Sequence, residues 1–327
     1  MKKYVFAGID IGGTDIKIAA AGLDKRIYAR GSIPTRRDDG PAKAIERVAE
    51  ALPAIIGNNA VLSAAGIGCA GLIDSESGWL HVSPNLPTWR NTPLARIARD
   101  RIGVYTVVDN DANAAAWAEY VLGSRRGRGT FVCLTLGTGV GGSVIIDGRV
   151  LRGQKNYAGE IGHMTINENG RRCSCGNRGC LEAYVGSYAL INDARRRLRK
   201  EKSRYLSRWM EQDGLQLTPR LIADAAAKGD RVAKAVFEEA GSHLGTAVAN
   251  LIHVFNPHSI ALAGGVARSL RLLKPALERE VRKRTFRESR RNVKIGRAVL
   301  GKDAAAVGAA LMAVETFRRK GARRASR

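Results

Sequence analysis

The chain has 327 residues, 45% of them hydrophobic and 26% charged, which is a globular composition with length for two domains. Lysine and arginine number 54 against 30 acidic residues, a net charge of +24 that invites a nucleic-acid reading. The basic residues are dispersed, no zinc finger, leucine-zipper heptad or RNA-binding aromatic motif accompanies them, and no apolar run reaches the roughly 18–20 residues of a membrane span.

The N-terminal "MKKYVFAGIDIGGTD" is basic then apolar, but Asp10 interrupts the run and no small-residue cleavage site follows. A buried strand explains it better than a leader, and a cytoplasmic location is expected. The first 33 residues predict strand, Gly-Gly-Thr turn, strand, and a third strand. Residues 41–56 predict a helix, with Pro53 a break or kink near its end. "VLSAAGIGCAG" (61–71) predicts a strand, and 79–92 a loop rich in Pro, Asn and Trp. "YTVVDNDANAAAWAEYVLG" (105–123) predicts a buried strand running into a helix. Residues 130–150 predict a long hairpin, 184–256 mostly helix, "SIALAGGVA" (259–267) a last strand before another helix, and 301–317 a closing helix. The denser basic runs at 195–204 and 282–291 read as solvated helix faces, and 318–327 as a basic disordered tail. Alternating strands and helices mean α/β. The opening strands and 130–150 look alike, which points to a duplicated core.

Glycine turns are the first chemical signal. "DIGGTDIK" (10–17) sets Gly12, Gly13 and Thr14 between two strands, where backbone N–H groups can face an anion. Asp10 stands at the strand end, placed to hold Mg²⁺ through water. A plain hairpin is the competing explanation. "GTGVGG" (137–142) matches a dinucleotide fingerprint, but the strand "SVIIDG" follows where a helix is required, so that fold is rejected. No P-loop pattern exists either. What remains is two Gly/Thr hairpins, fit to grip one polyphosphate from both sides. "LAGGVA" (262–267) is a third glycine turn, which tight packing alone could explain.

"VVDNDANAAA" puts Asp109, Asn110, Asp111 and Asn113 at a strand-to-helix junction. One of them is needed as a helix cap; four exceed that need. A carboxylate at the end of a buried strand is well placed as a general base. Further on, His163, Cys173, Cys175 and Cys180 make H-x₉-C-x-C-x₄-C, a closed Cys₃His set for structural Zn²⁺. Buried free thiols explain Cys69 and Cys133 on apolar strands. They do not suit three cysteines among Ser, Gly, Asn and Arg. Arg171, Arg172 and Arg178 are candidates to offset the thiolate charge.

"DIGGTDIK", "SPNLPTW", "DNDANAAA", "LTLGTGVGG", "EIGHM", "CSCGNRGCLE" and "LAGGVA" occur in the order found in the ROK family of sugar kinases and sugar-responsive repressors, which the chain resembles over about residues 4–315. The resemblance implies an actin-like ATPase (hexokinase-type) duplicated α/β fold, two domains flanking a cleft. The expected small domain is 1–117, completed by a helix at about 305–317. The large domain is 118–304, with the zinc loop at 160–182. The resemblance implies that Asp10, Gly12, Gly13, Thr14 and Lys17 belong to one phosphate loop and Gly137, Thr138 and Gly139 to the other, with Gly264 and Gly265 on the adenosine side. It makes Asp111 the base that takes the proton from the sugar's primary hydroxyl, and Asn85, Asn110, Glu160, His163 and Glu182 its companions around the sugar. His163 then serves zinc and sugar together, and zinc pins the loop that carries Glu160 and Glu182.

Repressors of the family carry a helix-turn-helix ahead of the first phosphate turn, which here begins at residue 10. A kinase is therefore expected, with a non-catalytic sugar sensor as the other reading. ATP with Mg²⁺ is the expected donor, polyphosphate the alternative. Glucose is the first choice of sugar, ahead of N-acetylmannosamine or N-acetylglucosamine. "CAGLID" (69–74) departs from the family pattern, where many relatives have proline near Ala70 and Leu72. No membrane or specific nucleic-acid partner is expected, and a homodimer or homotetramer is.

Overall fold

The structure, a computed structural model of the chain, describes residues 3–57, 60–123, 127 and 129–325. It divides into two units: residues 1–127, 149–158 and 299–327 form the first, and 128–148 with 159–298 the second. In chain order the first unit opens with β1 (Lys3–Ile11), β2 (Asp15–Gly22), β3 (Ile27–Pro34), α1 (Gly40–Ile56), β4 (Ala60–Cys69), β5 (Leu72–Asp74), β6 (Trp79–Val82), α2 (Leu94–Ile102), β7 (Thr106–Asn110) and α3 (Asp111–Leu122). Then come β8 (Phe131–Leu136), β9 (Val140–Ile146), β10 (Arg149–Val150), α4 (Glu182–Val185), α5 (Ser187–Leu198), α6 (Leu206–Glu211), α7 (Pro219–Ala227), α8 (Arg231–Phe255), β11 (Ser259–Ala263), α9 (Leu270–Arg284), α10 (Arg287–Arg290) and β12 (Lys294–Arg297). The closing helix α11 (Ala304–Ala325) returns to the first unit.

The two main sheets share one plan. Their orders are β3-β2-β1-β4-β7 and β10-β9-β8-β11-β12. In the first, β1 pairs antiparallel with β2 and parallel with β4, which pairs parallel with β7. In the second, β8 pairs antiparallel with β9 and parallel with β11, which pairs parallel with β12. The duplication expected from the sequence is therefore present in the strand order itself.

Parallel strands covered on both faces must be apolar throughout. β1 meets this demand. Ala7, Ile9 and Ile11 enter a core with Ile18, Ile45, Val48, Ile67, Leu80 and Trp89, while Phe6 meets Ala21, Ala64 and, from α11, Ala310, Ala313 and Val314. A Cβ at Gly66 would lie 2.0 Å from the Ala309 carbonyl oxygen, so α11 can sit on β4 only where a glycine stands.

Several local expectations change. α1 runs through Pro53 to Ile56 and ends on Gly57, whose N–H donates to the Pro53 carbonyl. A proline this close to the C-terminus costs only a late hydrogen bond. Within 79–92, expected as loop, Trp79–Val82 pairs with Leu72–Asp74 as a small hairpin. α2 and β12 were not anticipated. α2 buries Leu94, Ala95 and Ala98 under a basic outer face, and β12 is a short edge strand flanked by Lys294 and Arg297. α11 continues to Ala325, where a disordered tail was expected from 318; residues 326–327 lie outside the described residues. No helix among the described residues is long and apolar enough to cross a membrane.

Candidate functional site

In the first unit the candidate residues collect at the carboxyl ends of three parallel strands. The register aligns Asp10 with Gly68 and Gly68 with Asp109, and Ile11 with Cys69 and Cys69 with Asn110. The turn at 12–14 follows β1 directly, and α3 begins with Asp111. Asp10 stands opposite Lys17 in the β1–β2 ladder, and the Lys17 Nζ lies 3.7 Å from its carboxylate. The Asp10 carboxyl is pushed up to about 6, first by burial and then by the negative charge of Asp111, with Lys17 pulling the other way. Asp303, at the start of the closing helix, adds to the upward push. Sequence reasoning missed it, because nothing local marks a lone aspartate hundreds of positions from the turn it faces.

The turn itself is held from behind by Thr35, which is fully buried. Its Oγ1 donates to the Gly12 carbonyl at 2.7 Å and its N–H to the Thr14 carbonyl at 2.8 Å. Asn85 packs beside the same turn. A Cβ at Gly13 would lie 3.3 Å from the Asn85 carbonyl oxygen. Its neighbours Leu86 and Trp89 are fully buried and leave Asn85 exposed.

At the β7–α3 junction the division of labour is clear. Asn110 is the helix cap: its Oδ1 accepts from the N–H groups of Ala112 at 2.8 Å and Asn113 at 3.4 Å, and its Nδ2 donates to the Gly71 carbonyl at 3.1 Å. Asp109 is buried. Its Oδ1 accepts from the Asn110 N–H and from Asn113 Nδ2, both at 2.8 Å, and its other oxygen from Arg152 Nε at 3.1 Å. The cap and its support thus come from Asn110 and Asp109, and Asp111 follows as the first residue of α3. Arg152 was not singled out by sequence reasoning. It lies in the 149–158 segment, which is also tied down by Asn156, bonded to Asp74 and Ser75 at 2.9 Å each.

The second unit gathers the remaining candidates around the tip of the β8–β9 hairpin. Gly137, Thr138 and Gly139 form that tip. Gly264 follows β11, the parallel neighbour of β8, with φ +89°, and a Cβ there would lie 2.4 Å from the Leu136 carbonyl oxygen. Close packing accounts for this glycine, and it sets the third turn beside the second at the carboxyl ends of adjacent strands. Nothing lies within 4 Å of a Cβ at Gly265. Gly162 packs on the Val140 carbonyl, so the helical turn Ile161–His163, with Glu160 exposed at its start, rests on the same hairpin. Glu182 is buried there too: Oε2 accepts the Val140 N–H at 3.0 Å and Oε1 the Ser174 hydroxyl at 2.8 Å.

His163, Cys173, Cys175 and Cys180 converge, with their ligand atoms all within 4.8 Å of one another. Cys175 and Cys180 sulfurs are 3.8 Å apart, and Cys173 Sγ is 3.8 Å from His163 Nδ1. A disulfide needs about 2.05 Å. Thiolates about 2.3 Å from a tetrahedral centre lie about 3.75 Å apart, so the set fits one metal ion. His163 presents Nδ1 to Cys173. A backbone N–H from Asn177 holds the Cys175 thiol below its usual value, whereas burial pushes Cys180 up to about 12. A bound dication would offset that cost. Arg171, one of the arginines expected to offset thiolate charge, has its guanidinium engaged elsewhere. It pairs with Asp193 at 3.4 Å and with Glu239, and lies over the Tyr184 ring at 4.9 Å. Arg197 reaches the same two acids, so part of the run at 195–204 is an internal ion-pair network rather than a solvated face.

Two sheets of one topology, glycine turns after their first strands, and a closed four-ligand cluster define an α/β protein of the ATPase-like kind with mixed sheets. The chain belongs to the ROK family, whose model matches residues 6–316. A glucokinase of Thermotoga maritima is 34% identical over 284 residues, 86% of this chain and 88% of that enzyme. The crystal structure of a ROK family glucokinase from Streptomyces griseus, in complex with glucose and AMPPNP, superposes with a TM-score of 0.79 at 33% identity, covering 95% of this chain and 99% of that one. A ROK family transcriptional regulator, a homologue of the E. coli MLC protein, gives 0.84 at 27% identity over 95% of this chain and 78% of the regulator.

Proposed function

We propose that the protein is an ATP-dependent sugar kinase that phosphorylates the primary hydroxyl of glucose, with Asp111 as general base. The observation that carries this is the position of Asp111, first residue of α3, at the strand ends where Asp10 and the 12–14 turn also stand. Phosphoryl transfer asks mainly for positioning and charge stabilisation. The N–H groups of the two glycine turns and the hydroxyls of Thr14 and Thr138 orient the phosphates, and Gly264 and Gly265 border the nucleoside. Lys17 adds positive charge beside Asp10. Mg²⁺ supplies neutralisation of phosphate charge, and Asp10 is the carboxylate that would hold it through water. Asp111 accepts the hydroxyl proton as the sugar oxygen attacks. Asn85, Asn110, Glu160, His163 and Glu182 bind the remaining hydroxyls, and Zn²⁺ in the Cys₃His set is structural. The similarity to glucokinases from two genera supports glucose.

ADP release measured by a coupled assay across glucose, mannose, N-acetylmannosamine, N-acetylglucosamine, fructose and allose tests the reading. Glucose should give the highest kcat/KM, and no sugar-dependent release with any of them overturns the kinase. Asp111→Asn should lower kcat by about 10²–10⁴-fold while glucose binding survives. The likeness to a transcriptional regulator and the +24 charge favour a second reading, a non-catalytic sugar sensor. A gel shift with a clear operator preference at physiological salt would select it.

A further inference from the structure

Both glycine turns are gripped from behind by a hydroxyl. Thr35 does this for the first. For the second, Ser187 donates twice to the Gly137 carbonyl, from Oγ at 2.8 Å and from its N–H at 2.9 Å. Ser187 opens α5, just beyond α4, and α4 starts shortly after Cys180 of the four-residue cluster. The same short stretch reaches the other side of the turn. Glu182 Oε2 accepts the Val140 N–H, and a Cβ at Gly139 would lie 2.3 Å from that oxygen. A Cβ at Gly186 would lie 2.9 Å from the Thr138 carbonyl. Residues 182–187 therefore border the turn from 137 to 140, and their upstream end is the four-ligand cluster. The other Glu182 oxygen meets Ser174 Oγ and, at 3.7 Å, Cys173 Sγ.

We propose that this stretch couples metal occupancy at His163, Cys173, Cys175 and Cys180 to nucleotide affinity, with Ser187 and Glu182 as positioning residues for the 137–139 turn. The inference rests on reading that turn as a phosphate loop. Without metal, the four ligand side chains meet one another through weak thiol contacts. The backbone around α4 is held by the Leu181 N–H on the Met164 carbonyl, so what remains to be ordered when nucleotide arrives is the setting of the cluster side chains and of Glu182 beside them. Metal binding fixes Cys180 and so orders the clamp beforehand. Coupling of this kind is reciprocal, so nucleotide must tighten metal binding by the same factor.

The test is calorimetric titration with AMPPNP and Mg²⁺, without sugar, on the full chain either Zn²⁺-loaded or stripped by a chelator. Stripping should raise the wild-type Kd about five- to tenfold. Ser187→Ala should raise it by a similar factor in the loaded protein without lowering the unfolding midpoint, and stripping should then add no more than about twofold. Ser187→Thr, which keeps the hydroxyl, should restore affinity. Equal Kd values for loaded and stripped wild type, or a wild-type Kd in loaded Ser187→Ala, overturn the proposal. Thr138→Ala separates the two readings: if it leaves AMPPNP affinity unchanged, the phosphate turn is misassigned, whatever the coupling. If the stripped chain loses its circular dichroism, chelator competition for Zn²⁺ with and without AMPPNP reads the same coupling, and no shift overturns it.

Discussion

Arg152 donates to the buried carboxylate of Asp109, with Nε at 3.1 Å, and so neutralises a charge that sits two residues before Asp111. Removing the guanidinium leaves Asp109 buried and short of its cation. Arg152 is 34% exposed, which lets water repay part of the loss, so Arg152→Ala should cost about 1–3 kcal/mol of stability. Arg152→Lys should recover part, because an ammonium cannot make the forked contact. Chemical denaturation measures the stability, and kcat under saturating glucose measures whether the β7–α3 junction still holds Asp111. Unchanged stability in Arg152→Ala would remove the pair from any structural role.

Asp10 gives a pH prediction. Its folded value is about 6, above the 3.8 of an unperturbed aspartate, so the fold binds its proton more tightly than the unfolded chain does. The stability it contributes is complete below 3.8 and is lost as pH rises through 6. Asp10→Asn should therefore raise the unfolding midpoint at neutral pH and lose that advantage toward pH 4, while turnover falls. Thermal unfolding across pH checks the first half, and the coupled assay the second. A midpoint lowered at neutral pH would contradict the burial argument.

The cluster gives a metal prediction. Purified protein should contain one Zn²⁺ per chain by mass spectrometry, and Cys175→Ala should lose it. Sugar affinity and thermal stability should fall together, because Glu160 precedes His163 closely and Glu182 follows Cys180 closely. Full activity in zinc-free protein would defeat the structural role.

Gly66 gives a packing prediction. A methyl group there would collide with the Ala309 carbonyl at 2.0 Å, backbone that cannot rotate aside. Gly66→Ala should cost about 3 kcal/mol or more by displacing α11. Soluble expression and the denaturation midpoint report it, and a variant as stable as the parent would mean that α11 accommodates the shift.

What the sequence disclosed was local chemistry. The four cluster residues fall within a short span, and Gly12–Gly13–Thr14 and Gly137–Thr138–Gly139 announce themselves because few residue types suit such turns. The similarity of those hairpins also disclosed the duplication. Contacts made across distance were illegible. Arg152 and Asp109 are 43 positions apart, and "LRGQKNYA" carries no pattern that marks its arginine. The Arg171–Asp193–Glu239–Arg197 network looked like a solvated basic run because Asp193 is a single acid on the same helix and its other partners, Glu239 and Arg171, lie on distant segments. β12 escaped notice because four residues that begin and end on a charge show no periodicity, and the contact of Glu182 with Val140 was illegible because it joins two motifs far apart in the chain.

The placement of α11 has a consequence for how the chain is made. Phe6, Ala21 and Ala64 leave the ribosome long before their partners Ala310, Ala313 and Val314. The second unit, by contrast, holds all its strands between residues 128 and 298. During synthesis the inner unit can complete its core while the outer one still shows a bare sheet face. Of the two units, the one begun earlier is completed later, and a chain cut short near residue 300 would leave that face permanently open.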